Sequence, residues 1–154
     1  MDAVRLVELN AAYARIIDNE RYEEWPGLFH DPCLYKVTTA ENLATGLESG
    51  IIYADSRGML EDRISALRQA NIYERQRYRH IVGLPVVTTH SQDVAEVETS
   101  FLVVRIMRDG KMELFATGCY RDKVKPDANG ALRFVERIVV CDGGRFDTLV
   151  AIPL

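Results

Sequence analysis

The sequence is poor in the residues that bind metals or form disulfides. Its 154 residues include three histidines and three cysteines. The cysteines, Cys33, Cys119 and Cys141, are odd in number and widely spaced, and none belongs to a Cys-x-x-Cys pair. We therefore expect reduced thiols, as in cytoplasmic proteins, and no disulfide framework.

Long apolar runs and an excess of positive charge are also missing. No run approaches the ~18 apolar residues that span a bilayer, and Asp2, Arg5 and Glu8 interrupt the N-terminal stretch, unlike a signal peptide. Lys and Arg number 19 against 23 Asp and Glu, a net charge of −4. Nucleic acids and anionic membranes attract clustered cations, so neither is expected as a partner. The 47% of hydrophobic residues suffices for one core, and we expect a single cytoplasmic domain over residues 1–154.

The first half of the sequence has helical periodicity. It predicts a mostly buried helix over about residues 2–18 and a short second helix near residues 22–29. A longer helix is expected after a cap at Asp55 or Ser56, up to about Asn71. The apolar residues of the first helix are Val4, Val7, Ala11 and Ala14 at helical spacing, widened by Leu6, Leu9, Tyr13, Ile16 and Ile17.

The second half changes to the period of two that is typical of strands. Strands are predicted at residues 33–39, 80–88, 95–103, 112–124 and 132–140, and a loop at residues 45–50. Asp109-Gly110 and Asn129-Gly130 supply the positive φ of tight hairpins. In the last strand the step of two groups Leu132, Phe134, Glu136, Ile138 and Val140. We expect an α+β fold of the cone-shaped NTF2-like/SnoaL-like type, with N-terminal helices packed in a curved antiparallel sheet.

The cavity of such a cone serves as an active site in ketosteroid isomerase and scytalone dehydratase. A free-standing dehydratase or isomerase would use a tyrosine with an acid or histidine for proton transfer, and Tyr13, Asp18, Asp31 and His80 are the candidates. No motif spacing fixes any pair among them. The simpler interpretation is that Tyr13 is a core aromatic residue, Asp18 ends the first helix and Asp31 lies in a turn before Pro32.

A metal centre has little support in the sequence. Mononuclear iron of the two-histidine, one-carboxylate type would require two of His30, His80 and His90 to converge with an acid, and their spacing does not indicate this. Rieske clusters need two Cys-x-His ligand pairs, which this sequence lacks.

The densest cluster of charge is Glu74-Arg75-Gln76-Arg77-Tyr78-Arg79-His80. Strand alternation would send Arg77 and Arg79 to one face and Tyr78 and His80 to the other. Arginines interleaved with aromatic residues are common in protein interfaces, where guanidinium groups pair with carboxylates or stack. In an acidic chain we interpret this cluster as part of an interface.

Several motifs together resemble the small (β) subunits of aromatic-ring-hydroxylating, Rieske non-haem iron dioxygenases. The most specific is Arg77-Tyr78-Arg79-His80-Ile81-Val82. The others are Tyr13-Ala14-Arg15-Ile16-Ile17-Asp18, Trp25 with Leu28-Phe29, and Asp55 ahead of Met59-Leu60 and Asp62-Arg63. Residues 50–56, 62–80 and 147–154 are similar to members that act on aromatic carboxylates.

The resemblance implies a structural role. In this family the large (α) subunit holds the Rieske 2Fe-2S cluster and the mononuclear iron, and an NAD(P)H-dependent reductase supplies electrons. The β subunit would carry no catalytic, cofactor or metal residue and would form, with other β subunits, a trimeric base in an α3β3 hexamer. The holoenzyme would add both atoms of O₂ to an aromatic carboxylate and yield a cis-dihydrodiol. The residues expected at subunit contacts or in structural ion pairs are Trp25, Asp55, Arg63, Arg77, Arg79 and His80.

Overall fold

A computed structural model describes residues 1–46, 52–70, 76–143 and 152–154. Parts of the resembling stretches, at residues 47–51, 71–75 and 144–151, lie outside the described residues. The elements in chain order are α1 (Ala3–Asp18), a 3₁₀ helix (Tyr22–Leu28), β1 (Phe29–Thr39), α2 (Ala40–Ala44), β2 (Ile52–Ala54), α3 (Arg57–Gln69), β3 (Gln76–Val82), β4 (Val86–Ser91), β5 (Val94–Met107), β6 (Met112–Pro126) and β7 (Leu132–Cys141).

Local chemistry explains where the long helices begin. The Asp2 carboxylate accepts a hydrogen bond from the Val4 N–H at 3.0 Å and caps α1. Of the two predicted caps of α3, Ser56 has this role, since its Oγ accepts from the Met59 N–H at 3.2 Å. The strand predicted at residues 80–88 is divided between β3 and β4, with Pro85, which has no N–H for a ladder, between them.

The strands form one sheet of mixed direction. Its order is β2-β1-β7-β6-β5-β3, and β4 pairs with the other half of β5. The predicted antiparallel meander β5–β6–β7 is present, with Gly110 and Gly130 in its hairpins at φ +87° and +82°. However, β1 pairs with β7 in parallel, so the sheet is not wholly antiparallel.

The core lies between α1 and the concave face of the sheet, where α1 contacts β3 and β7. The α+β cone predicted from the sequence is confirmed. The helix is less buried than predicted, because Val4, Val7 and Ala11 of its first apolar set are exposed, although Ala14 of that set is buried. Leu6, Tyr13 and Ile17 are at most 2% exposed, whereas Val4 and Val7 are 62% and 40% exposed.

A bulge in β7 reverses the predicted alternation. Lys123 pairs with Glu136 and Val124 with Phe134, so one extra residue, Val135, interrupts the ladder. Beyond it, Arg137 points inward and is fully buried, while Glu136 and Ile138 are only half-buried. The prediction that Leu132 to Val140 keep one face is therefore wrong after Phe134. Because the side-chain period is two, one inserted residue exchanges the faces of the strand.

The two central strands approach closely at Gly118 of β6. A Cβ atom at this position would lie 2.0 Å from the carbonyl oxygen of Val140 in β7. Only glycine fits there without a backbone shift. Within the described ranges, the helices are too short or too polar to span a membrane.

Candidate functional site

A buried arginine occupies the centre of the cone. The Arg137 guanidinium carbon lies 4.2, 3.9 and 4.0 Å from the ring centroids of Tyr13, Tyr120 and Phe134. Its Nε and Nη2 donate to the two carboxylate oxygens of Asp122 at 2.8 and 2.7 Å, a bidentate pair. Nη2 also donates to Asn10 Oδ1 at 2.5 Å, which connects α1 to β6 and β7.

Burial controls the ionisation of this cluster. The side chains of Arg137 and Asp122 are 0% and 1% exposed. Burial raises the pKa of the Asp122 carboxyl above its usual value, and the adjacent Arg137 charge opposes that rise. Burial also raises the pKa values of Tyr13 and Tyr120. At neutral pH these tyrosines are therefore protonated and cannot act as bases.

Residues 152–154 fill the remaining interior near Tyr13. The Tyr13 hydroxyl donates to the main-chain oxygen of Leu154 at 2.5 Å. The Tyr35 hydroxyl accepts from the Leu154 N–H at 3.1 Å and donates to the same oxygen at 3.3 Å. Ile152 and Leu154 are 4% and 0% exposed. In the described part of the chain, aromatic and aliphatic groups thus pack the space that an open-cavity enzyme would leave to a substrate.

A second polar contact joins α1 to β3. The backbone N–H of His80 donates to Asp18 Oδ2 at 2.9 Å, and His80 Nδ1 lies 2.7 Å from Asp18 Oδ1. A carboxylate can only accept, so we assign the ring proton to Nδ1. His80 Nε2 is then buried without a hydrogen-bond partner. The exposed side chain of Arg79 places its Nη1 4.0 Å from Oδ2 of the buried Asp18.

The structure brings together two of the four candidates for proton transfer. Asp18 and His80 form the pair just described, and the ring of Tyr13 meets that of His80 edge-on at 6.4 Å. The Tyr13 hydroxyl, however, is engaged by Leu154. Asp31 lies in β1, where its Oδ1 is 3.5 Å from the donating N–H of Arg57. Asp18 and His80 both line an open cleft between α1 and β3, whereas Tyr13 and Asp31 do not line it, so the four candidates do not converge on one chamber.

The six residues expected at contacts or in ion pairs occupy three kinds of position. Trp25 is fully buried, with the rings of Tyr35 and Phe29 edge-on at 5.0 and 5.6 Å, and His80 is buried against Asp18. Arg63 on α3 is half-buried. The exposed members are Asp55, Arg77 and Arg79. As strand alternation predicts, Arg77 and Arg79 project from β3 opposite to Tyr78 and His80.

Sequence reasoning missed Arg137, Asp122 and Asn10. Arg137 and Asp122 pair across β6 and β7, and each follows a run in which polar and apolar residues alternate. The only signal in the sequence was their alignment across the Asn129-Gly130 hairpin. The Val135 bulge obscured that signal. Without the extra residue in β7, Arg137 would lie on the face opposite to Leu132 and Phe134, which is the solvent face.

The described residues offer no cluster suited to iron. No group of three or more His, Cys, Asp or Glu side chains in residues 1–46, 52–70, 76–143 and 152–154 could hold a metal ion. His30 donates through Nε2 to the Lys125 carbonyl oxygen at 3.1 Å, His80 pairs with Asp18, and His90 lies on the exposed strand β4. The donor set therefore fits neither a Rieske cluster nor a mononuclear iron.

Comparison with known proteins identifies the class. The family model "Ring hydroxylating beta subunit" matches residues 12–147. The chain is 49% identical over 154 residues to the terephthalate 1,2-dioxygenase terminal oxygenase component subunit beta 1 of a Comamonas species, covering all of this chain and 99% of that one. It is 35% identical to the anthranilate 1,2-dioxygenase small subunit of Burkholderia cepacia, over 95% of this chain and 90% of that protein.

A solved structure agrees with the sequence relatives. A crystal structure described as the beta subunit of an aromatic-ring-hydroxylating dioxygenase from Novosphingobium aromaticivorans superposes with a TM-score of 0.90 at 36% identity, covering 99% of this chain and 96% of that one. The chain belongs to the family of ring-hydroxylating dioxygenase β subunits. It is a structural component of an oxygenase complex, and a large-subunit partner follows from that membership.

Proposed function

We propose that this chain is the non-catalytic small subunit of a dioxygenase that converts an aromatic carboxylate, terephthalate or a close analogue, to a cis-dihydrodiol. The observation that carries this proposal is the 49% identity over the whole chain to two subunits of terephthalate 1,2-dioxygenase. The identity to the anthranilate enzyme subunit is lower, 35%, although its substrate is also an aromatic carboxylate. The small subunit would act by assembly, and the large subunit would bind the ring.

The proposed assembly is an α3β3 hexamer in the cytoplasm, with a trimer of this chain beneath a trimer of large subunits. There it would hold one large subunit's Rieske cluster near the mononuclear iron of its neighbour, while an NAD(P)H-dependent reductase supplies electrons. The iron centres are assigned to the large subunit because the described residues of this chain contain no suitable ligand group. The three unpaired cysteines accord with a reducing compartment.

In this proposal, the role assigned to each of the six contact residues depends on how exposed its side chain is. Exposed Arg77, Arg79 and Asp55 are assigned to subunit contacts, because their charged groups are accessible to a partner's opposite charges. Buried Trp25 and His80 are assigned to the interior, where they fix the 3₁₀ helix and the α1–β3 contact. Arg63, which is half-buried on α3, is assigned to a structural ion pair.

The test is co-expression of this chain, tagged, with the gene of a large subunit of the same enzyme family. Size-exclusion chromatography with light scattering measures the stoichiometry, and iron is assayed on the complex and on this chain alone. We expect an equimolar hexamer that contains iron and an isolated chain that contains none. The purified hexamer with its reductase should oxidise terephthalate faster than anthranilate.

Two results would oppose the proposal in different ways. A chain that elutes alone in the presence of a folded, iron-loaded large subunit would remove the assembly role. A hexamer with higher turnover of anthranilate would keep that role and contradict the substrate assignment. As a matched control, the Asp18→Asn and Tyr13→Phe variants should leave turnover per assembled hexamer unchanged, since neither residue would touch substrate.

A further inference from the structure

The interior of the cone near α1 is occupied by residues 152–154 of the chain itself. Ile152 and Leu154 are 4% and 0% exposed, so water scarcely reaches this segment. Three hydrogen bonds link Leu154 to the hydroxyls of Tyr13 on α1 and Tyr35 on β1. The segment is thus held in the way that a protein holds a small ligand, with an apolar group enclosed and a polar group on fixed partners.

Two hydrogen-bond donors converge on one oxygen of Leu154. The Tyr13 hydroxyl donates to its main-chain oxygen at 2.5 Å and the Tyr35 hydroxyl at 3.3 Å. Burial raises the pKa values of both tyrosines, so at neutral pH each hydroxyl keeps the proton that it donates. Two protonated phenols aimed at one oxygen form a site for a hydrogen-bond acceptor.

Further donors beside the two tyrosines lack an acceptor. The Trp25 ring meets that of Tyr35 edge-on at 5.0 Å, and its Nε1 is buried without a hydrogen-bond partner among the described residues. The Arg137 guanidinium carbon lies 4.2 Å from the ring centroid of Tyr13, and its Nη1 is unpartnered in the same ranges. Indole and guanidinium groups can only donate. This excess of donors favours a head group that only accepts, which is the property of a carboxylate.

The surroundings of the Leu154 side chain are aromatic. Leu154 belongs to the same core cluster as five rings whose neighbouring centroids lie between 5.0 and 6.1 Å apart. These rings are Tyr13, Trp25, Phe29, Tyr35 and Phe134. A space bounded by rings suits an aliphatic or aromatic body of about the size of a leucine side chain.

We propose that the interior of the cone is a binding site for a small carboxylic acid with an apolar body, and that Leu154 occupies this site as a built-in ligand. The carboxylate of the acid would accept from Tyr13 and Tyr35, and its body would replace the Leu154 side chain. The alternative is an ordinary core in which Leu154 only fills space. The two differ once Leu154 is removed, because only a binding site takes up an acid in its place. The inference does not depend on the proposed function.

The test deletes Leu154 from the full chain and supplies isocaproate, which joins the isobutyl group of leucine to a carboxylate. Binding is measured as the rise of the urea midpoint with isocaproate, followed by the fluorescence of Trp25. A ligand of the folded state raises the folded fraction, so this measurement also serves if the shortened chain is largely unfolded alone. The alcohol of the same carbon skeleton tests the head group, and acetate tests the body.

Two further variants of the shortened chain locate the acid. Tyr13→Phe removes one of the proposed donors. Tyr78→Phe is the matched control, because Tyr78 is also buried, at 1% exposure, and its hydroxyl has no hydrogen-bond partner in the described part of the chain. Both substitutions remove one buried hydroxyl, and only the first removes a hydrogen bond to the site.

We expect the shortened chain to bind isocaproate at least about tenfold more tightly than wild type, in which Leu154 competes, and more tightly than the alcohol or acetate. Tyr13→Phe should weaken this binding by about tenfold, the usual effect of a hydrogen bond to a charged group, and Tyr78→Phe should leave it unchanged. A shortened chain whose urea midpoint does not respond to isocaproate would overturn the inference, as would an equal response of wild type. Equal affinities of the Tyr13→Phe and Tyr78→Phe variants would also overturn it, since the acid would then lie elsewhere.

Discussion

Removing the Arg137 side chain tests whether the buried ion pair holds the cone together. In Arg137→Met, the Asp122 carboxylate would remain 1% exposed with no cation, and Asn10 would lose its donor. Breaking a buried pair from one side costs roughly 3–5 kcal/mol, and the lost hydrogen bond to Asn10 adds about 1 kcal/mol. Domains are stable by about 5–15 kcal/mol, so this loss is a large part of the total.

The assay is urea unfolding at pH 7, followed by the fluorescence of Trp25. It is the only tryptophan of the sequence and is fully buried, so unfolding exposes a single reporter. In the variant, burial without Arg137 should favour the protonated Asp122. A carboxyl whose pKa is raised on folding stabilises the fold at low pH, and that stability is lost as pH rises. The deficit of Arg137→Met should therefore shrink between pH 7 and pH 5.

Two further variants test this reasoning: a double variant that removes both charges of the buried pair, and a control at an exposed arginine. Arg137→Met with Asp122→Leu removes both charges and should recover most of the lost stability, because no unpaired charge remains. Arg121→Met removes an arginine from β6 that is 55% exposed and 3.9 Å from Glu98, and should cost less than about 1 kcal/mol. A loss below about 1 kcal/mol for Arg137→Met, or a double variant as unstable as the sum of its single variants, would refute the reasoning.

Three other outcomes are expected. Gly118→Ala should lower the free energy of unfolding by about 1–3 kcal/mol or more, because its methyl group meets the Val140 carbonyl oxygen. Gly58→Ala should cause no such loss, because only Ser56 Oγ, at 3.8 Å, lies near the added methyl group. Equal urea midpoints for the two variants would contradict this prediction. The hydrogen bond from Arg68 holds the pKa of Glu23 at about 2, so Glu23→Gln should lower the free energy of unfolding at pH 7 by less than about 1 kcal/mol. This difference between wild type and variant should vanish as the pH falls from 4.5 toward 2. A difference that does not change with pH would argue against the Arg68–Glu23 pair. Burial raises the pKa values of Cys33 and Cys141 to about 11 and 12, so mass spectrometry should find both unalkylated by iodoacetamide at pH 8 in the native chain and alkylated in urea.

Periodicity predicted the long elements because each of them has one dominant signal, whereas the short elements α2 and β2 were not predicted. The helix caps, the Asp-Gly and Asn-Gly hairpins and the alternation of β5 are local, and a single sequence contains them. The parallel pairing of β1 with β7 was not predictable in this way. It depends on how the whole sheet curves around α1, which no short window of sequence encodes.

The limits of sequence reasoning are clearest on α1. The many apolar residues of this helix predicted a mostly buried element, yet Val4, Val7 and Ala11 are exposed. Apolar character favours burial without requiring it, because much of a folded protein's surface is apolar, and the sequence does not say which apolar residues of a helix face the core. Arg137 shows the converse, since an arginine is normally placed at the surface and here three rings and Asp122 surround it.

The parallel contact between β1 and β7 has a consequence for the order of folding. Lys36 pairs with Ile138 and Val37 with Val139, residues that are about a hundred positions apart in the chain. Such pairings close large loops before they gain contacts, and they are slow to form. During synthesis, β2 can pair with one edge of β1 early, but the other edge of β1 stays unpaired until β7 has emerged. A cell that makes the two subunits together therefore obtains a competent small subunit only after β7 has left the ribosome.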